Sequence, residues 1–177
     1  EPRTYVKVTA SDGETVVLEN EGEEHVAMKE TTAYFMNTLL QGVINSGTGG
    51  SAKFSGMTIA GKTGTTSENY FVGYTPHYVA AVWTGYDSPE KISYSGNPAI
   101  TMWKKVMQKI HEDLPNKQFS KPTTGLETVE VCLDSGLRPT DACRADVRGS
   151  ARVQTVTVAA GTAPTESCTM HTLVDYC

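Results

Sequence analysis

The sequence predicts an α+β fold, with helices covering an antiparallel sheet and a small β-rich tail that holds every cysteine. Three observations carry this. Amphipathic stretches at residues 29–45 and 99–113 bracket three short strand-like segments joined by turn residues. Helix, three meandering strands and helix make one α+β layer. All four cysteines, Cys132, Cys143, Cys168 and Cys177, fall in the last quarter of the chain.

Taken in order, residues 4–10 alternate Tyr5, Lys7 and Thr9 with Val6 and Val8, the period of a strand. Ser11-Asp12-Gly13-Glu14 is a hairpin turn, and residues 15–18 return as the second strand. The acidic run from Glu19 to Glu24 reads as a solvated loop. In the first helix the pairs Phe35/Met36, Leu39/Leu40 and Val43/Ile44 recur every four residues, which lays one stripe against a core. Gly47 is placed to end that helix. Residues 58–65, 70–74 and 77–86 then read as successive antiparallel strands, with Thr75-Pro76 turning between the last two. The second helix is expected to bury Ile100, Trp103, Val106, Met107 and Ile110. Residues 115–125 look like a linker, and residues 128–133 and 153–158 suggest two short strands beyond it.

Length and charge narrow the field. A chain of 177 residues makes one ordinary domain, or a medium one with a small appendage. The net charge of -5 without any Lys/Arg cluster argues against nucleic acid as a partner. No apolar run is long enough for a membrane span or a signal peptide. His25, His77 and His111 lie far from one another and from acidic partners in motif spacing, so surface or packing roles are expected. The aromatics Tyr70, Phe71, Tyr74, Tyr78, Trp83 and Tyr86 alternate on neighbouring strands and read as cross-strand packing.

The segment with most to say about chemistry is Ile59-Ala60-Gly61-Lys62-Thr63-Gly64-Thr65-Thr66. Glycines on both sides of Lys62 remove side chains where a ligand backbone could lie close. One cation and the hydroxyls of Thr63, Thr65 and Thr66 remain on a bare edge, suited to a peptide carboxylate. Lys-Thr-Gly is one of three short motifs of serine penicillin-interacting enzymes. Ser46-Gly47-Thr48-Gly49 precedes it, and Phe71-Val72-Gly73-Tyr74-Thr75-Pro76 and Ala80-Ala81-Val82-Trp83-Thr84-Gly85-Tyr86-Asp87 follow. With that context the chain resembles the C-terminal half of the transpeptidase domain of class A penicillin-binding proteins, well over residues 2–114 and more loosely beyond. A monofunctional class B transpeptidase is the near alternative, and a secreted, non-catalytic peptidoglycan- or peptide-binding module is the alternative of another kind.

The resemblance implies the C-terminal portion of a penicillin-binding transpeptidase or serine β-lactamase-like fold over residues 1–114. A linker follows over 115–125 and a small disulfide-stapled tail over 126–177. It implies a D,D-transpeptidase that crosslinks peptidoglycan stem peptides ending in D-Ala-D-Ala and is acylated by β-lactams, with no cofactor. The parent would also bear a glycosyltransferase domain, and a helix outside this fragment would tether it to the extracytoplasmic face of the bacterial membrane. Lys62 would hold positive potential for the carboxylate and support proton transfer. The Thr65 backbone N–H would be one oxyanion donor, Thr63 and Thr65 hydroxyls would take the carboxylate, and the peptide would run along Gly64, Thr65 and Thr66 as an added strand.

The family's serine nucleophile and Ser-x-Asn motif precede Lys-Thr-Gly, and nothing before Lys62 matches either. Ser88-Pro89-Glu90-Lys91 has the Ser-x-x-Lys spacing but opens on a turn signal after the triplet. Ser67-Glu68-Asn69 and Ser95-Gly96-Asn97 also fall on the wrong side. The expectation is a fragment that carries the substrate edge without the nucleophile. The hairpin after Thr66 is also shorter than the family usually has.

Four cysteines in a loop-rich tail read as two disulfides in an oxidising compartment. Of three possible pairings, Cys132–Cys143 with Cys168–Cys177 closes the short loops first. Cys168-Thr169-Met170-His171 could instead offer thiolate and imidazole to zinc, but no paired Cys-x-x-Cys accompanies it, so no metal is expected.

Overall fold

Trp103 is the centre of the larger core, wholly buried with Phe71 and Met107 beside it. The computed structural model describes residues 3–23, 25–65, 68–88, 90–146, 148 and 151–173, with Thr65 described by its backbone alone. Strands β1 (Lys7–Thr9) and β2 (Val16–Glu19) form an antiparallel hairpin. Asp12 shapes its turn by accepting the N–H groups of Glu14 and Thr15 at 3.0 and 2.9 Å. Gly13 supplies the positive φ of 76° that the turn needs.

Helix α1 (Glu30–Ser46) ends where the Gly47 N–H bonds the Val43 carbonyl. A short 3-10 turn, Gly50–Ala52, leads to strands β3 (Ala60–Thr65), β4 (Asn69–Tyr74) and β5 (Val79–Thr84). These pair in the order β3-β4-β5, each antiparallel to the next. Helix α2 (Pro98–Ile110) follows, capped by the Asn97 side chain, which accepts from the Ala99 and Ile100 N–H groups. Asn97 also donates to the Tyr70 carbonyl at 3.2 Å, tying the start of the helix to β4. The Ser95-Gly96-Asn97 triplet thus has a structural occupation.

Both helices cover one face of this sheet. Ile44 of α1, Phe71 of β4, and Ala99, Ile100, Trp103 and Met107 of α2 form a single apolar cluster with Ala52 and Ile59. The Trp103 ring meets Phe71 edge-on at 5.0 Å, and its indole N–H lies within reach of the Gly73 and Ala80 carbonyls at 3.2 and 3.0 Å. Burying an indole with its donor satisfied is the favourable arrangement. Gly73 is required here, because a Cβ would stand 2.6 Å from Phe71 and 2.7 Å from Trp103.

The core is narrower than the helical stripes suggest. Val106 and Ile110 are 55% and 46% exposed, and Met36 and Leu39 are also exposed. Val106 lies on the flank of the stripe centred on Trp103, and Ile110 is the last residue of α2. His111, just past α2, is buried. Its Nδ1 lies 2.7 Å from the Met107 carbonyl and must donate, so Nε2 accepts from the Thr75 hydroxyl at 2.8 Å. The role is packing, as expected, but His111 is not apart from His77: their rings are 5.9 Å from each other.

Beyond residue 125, β6 (Leu126–Cys132) pairs antiparallel with β7 (Val153–Ala159), and the one-turn helix α3 (Asp141–Arg144) lies between them in sequence. A helix of that length has no readable period, so no pattern of residues announces it. The buried side chains around it are Cys132, Cys143 and Cys168, with Val153 packed against them. Among the described residues no helix is long and apolar enough to cross a membrane.

Candidate functional site

The Lys62 strand is an edge. β3 pairs with β4 alone, so its other side carries no strand partner among the described residues. Register sets which way its side chains go. Thr63 stands opposite buried Phe71, and Gly61 opposite Gly73, on the helix-covered face. Lys62 stands opposite exposed Val72, on the open face. Cross-strand partners share a face, so Lys62 and Thr63 leave the strand on opposite sides.

They nevertheless meet. Lys62 Nζ donates to the Thr63 carbonyl at 2.7 Å and lies 3.4 Å from Thr63 Oγ1. Side chains from opposite faces can meet only around a strand's edge, and the β4 side is occupied by pairing. Lys62 therefore folds around the open edge. Thr48 Oγ1, from the loop after α1, lies 3.1 Å from Thr63 Oγ1. The result is one ammonium and two hydroxyls on an exposed strand edge. Such a set can hold a carboxylate, with the charged donor giving the stronger contact.

Thr48 is the residue to which sequence reasoning gave no role, although Ser46-Gly47-Thr48-Gly49 was part of the recognisable context. Thr65 extends the edge by its backbone, in register with Asn69, and Gly64 stands opposite Tyr70. Thr66 lies outside the described residues. Glu68, in the hairpin loop, accepts from the Tyr70 hydroxyl at 2.9 Å and from the Trp83 indole at 3.1 Å. Those two aromatics pack against each other on the open face. Ser88, Glu90 and Lys91 are exposed and non-helical, the opposite of what a serine–lysine pair one turn apart needs.

A second cluster lies in the tail, and it overturns the disulfide expectation. Cys132, Cys143 and Cys168 are free and buried. The Cys132 and Cys168 sulfurs are 3.6 Å apart, far beyond the ~2.05 Å of a disulfide. Cys132 and Cys143 are both unbridged, so that expected disulfide is absent, and the expected Cys168–Cys177 pairing falls outside the described residues with Cys177. The backbone explains why the three thiols meet instead of pairing off. Cys132 ends β6, where its N–H bonds the Leu137 carbonyl and its carbonyl takes the Gly136 N–H. Cys143 in α3 is held to the start of β7 through the Arg152 N–H. Cys168 is hung from the Arg138 carbonyl.

His171 completes the group. Its Nδ1 lies 3.6, 3.5 and 3.3 Å from the sulfurs of Cys132, Cys143 and Cys168. All four donor atoms fall within 4.8 Å of one another. Its Nε2 lies 2.9 Å from Asp134 and 3.2 Å from Asp146. Arg152 and Arg148 hold the Asp134 carboxyl well below its ordinary range, and Arg148 lowers Asp146 to about 2. A hydrogen bond from Ser135, with further ones from His171 and the Met170 N–H, draws the Cys168 thiol down to about 6. The same contact with Cys168 raises the His171 imidazole. Cys168 and His171 were singled out in the sequence. Cys132 and Cys143, and the acidic and basic residues behind His171, were not linked to them.

Comparison with known proteins agrees with the placing of the chain. The family described as penicillin-binding protein 1A, C-terminal domain, matches residues 122–173, the stretch holding β6, α3, β7 and the thiol cluster. Penicillin-binding protein 1A of Clostridium perfringens is 37% identical over 174 residues, covering 96% of this chain and 21% of that protein. The protein of the same name from Clostridium acetobutylicum is 40% identical over 126 residues, 69% of this chain and 16% of its own. That from Clostridium botulinum is 37% identical over 177 residues, 97% of this chain and 21% of its own. The chain belongs to the class A penicillin-binding proteins and corresponds to a C-terminal part of them. It spans about a fifth of the length of the relatives it matches.

Proposed function

We propose that this chain supplies the substrate-receiving edge of a peptidoglycan D,D-transpeptidase. The observation that carries the reading is Lys62 folded around the unpaired edge of β3, beside the Thr63 and Thr48 hydroxyls. A stem peptide would add to that edge as a strand, with its main chain paired to β3 along Gly64, Thr65 and Thr66. Its terminal carboxylate, or that of a β-lactam, would sit between the ammonium and the hydroxyls of Thr63 and Thr65. The attacking serine is assigned to the rest of the parent protein, and its attack on the D-Ala-D-Ala carbonyl forms an oxyanion. The Thr65 N–H would be one of the donors that receive it, a contact worth roughly 3 kcal/mol in comparable enzymes. Collapse of that intermediate would break the amide bond and release the terminal D-Ala, and the acyl group would then pass from the serine oxygen to an amine on a neighbouring peptide.

The same reading gives the parent a glycosyltransferase domain, a membrane anchor and an extracytoplasmic location. Fluorescent penicillin tests it on two samples. The full-length parent is expected to take up the label covalently, and the 177-residue chain alone is expected to take up none. A parent that stays unlabelled would favour a non-catalytic peptide-binding role. A penicillin adduct mapped to a serine of the short chain would place the nucleophile here and overturn the division of labour.

A further inference from the structure

The four side chains Cys132, Cys143, Cys168 and His171 come from a strand end, a one-turn helix and a late loop, yet they close on a single point. The receptor edge has no use for them. Nor do they form an ordinary apolar centre, since each directs a metal-ligating atom inward. Four of the six separations among these donor atoms run from 3.3 to 3.6 Å, and all six are within 4.8 Å. A regular tetrahedron of such an edge has its centre about 2.1 Å from each corner, close to the ~2.3 Å of zinc–thiolate and ~2.0 Å of zinc–imidazole bonds.

We propose that Cys132, Cys143, Cys168 and His171 bind one Zn²⁺ in a closed, four-coordinate structural site. Three sulfurs and one nitrogen are the soft donor set that selects zinc over calcium or magnesium, which take oxygen. Four protein donors fill a tetrahedron and leave no place for water or substrate, so the site holds structure and does no chemistry. The surroundings are those of a metal site. Asp134 lies 2.9 Å from His171 Nε2, so it receives that N–H and turns the Nδ1 lone pair towards the sulfurs. Arg148 also lies 3.0 Å from Nε2, but its hydrogens are taken by Asp134 and Asp146 at 2.7 and 3.0 Å. Backbone N–H groups of Thr140 and Met170 point at the sulfurs of Cys143 and Cys168, at 3.3 and 3.4 Å. Such donors favour thiolates. Binding exchanges the thiol protons, released to solvent, for the metal, and so couples metal affinity to folding of this segment.

The test is elemental analysis of the 177-residue chain, purified under reducing conditions from zinc-supplemented medium without a metal-affinity step. One zinc per chain is expected. Replacing it with cobalt should give the visible bands of a tetrahedral thiolate site, a readout on the unaltered chain that does not depend on a variant folding. Cys143→Ser should lose the metal. Asp134→Asn should keep one zinc but bind it about 10–100-fold more weakly against a competing chelator. Cys177→Ser should change neither stoichiometry nor affinity. A metal-free chain, iron in place of zinc, a disulfide among Cys132, Cys143 and Cys168, or loss of metal in Cys177→Ser would each overturn the assignment.

Discussion

The sheet region and the tail solve the same problem with different materials. Around Trp103 the chain buries Phe71, Ile44, Ile100 and Met107 in one contiguous cluster, which removes apolar surface from water in the ordinary way. The β6–β7 hairpin has no such reserve. Its buried cluster is three cysteines with Val153 against them, joined by backbone bonds that hang Cys132, Cys143 and Cys168 on neighbouring turns and by the ion pairs of Asp134 with Arg148 and Arg152 and of Asp146 with Arg148. Where aromatic and aliphatic burial is plentiful, a strand can stand at a sheet edge without a second strand partner among the described residues, as β3 does. Where it is scarce, the side chains themselves converge on a common point. The two regions thus draw on separate sources of stability, an apolar cluster in one and a convergence of thiols in the other.

Substitutions can break this contrast from either side. The largest effect is expected from Trp103→Ala, which empties the sheet core and removes the indole donor beside the carbonyls of Gly73 and Ala80. It should destabilise the sheet region by about 3–5 kcal/mol in denaturant unfolding while leaving the metal content of the tail unchanged. A loss of metal in that variant would mean that the two regions are not separate. Lys62→Ala in the full-length parent should lower the second-order rate of β-lactam acylation roughly 10²–10³-fold at an unaltered melting temperature, by analogy with the loss of one oxyanion donor. Lys62→Arg should restore only part of it, because a guanidinium is bulkier and stays protonated. Unchanged acylation in Lys62→Ala would remove the edge from the site.

Gly73→Ala should be milder than Trp103→Ala, by the overpacking range of about 1–3 kcal/mol, since its new methyl must displace the Phe71 and Trp103 rings. Equal melting of wild type and variant would show that the core is looser than its contacts imply. The smallest effect belongs to Asn97→Ala. Removing the cap of α2 should destabilise by about 1 kcal/mol, read from the midpoint of urea unfolding. A larger loss would point to the Tyr70 carbonyl contact as the greater part of Asn97's contribution.

Much of the sheet region was legible because its signals are local. The four-residue recurrence of apolar pairs predicted α1, the turn at Thr75-Pro76 separated β4 from β5, and Trp103 was placed in the core. Periodicity says which side of a helix faces inward but not how wide the covering sheet is, so Val106, Ile110, Met36 and Leu39 were assigned more burial than they have. Lys62 was singled out by its flanking glycines and threonines. Its route around the strand edge to the Thr63 carbonyl, and the approach of Thr48, depend on register and on where α1 ends.

The tail was read least well. Cysteine count and loop length favoured neighbour pairing, but those quantities carry no information on direction. Whether Cys132 faces Cys143 or a shared centre is decided by the turn after β6, by α3 and by the tie between Arg138 and Cys168. The one usable trace was Cys168-Thr169-Met170-His171, and without a matching pair upstream it could not outweigh the disulfide reading.

Amide hydrogen exchange of the 177-residue chain, before and after zinc is stripped by a chelator under reducing conditions, tests the contrast between the two regions most directly. Local opening is expected wherever the stabilising contacts are lost. β6 and β7 are expected to lose protection on chelation while β4 and α2, around Trp103, keep theirs. Unchanged protection in β6 and β7, or a loss spread evenly over both regions, would contradict it.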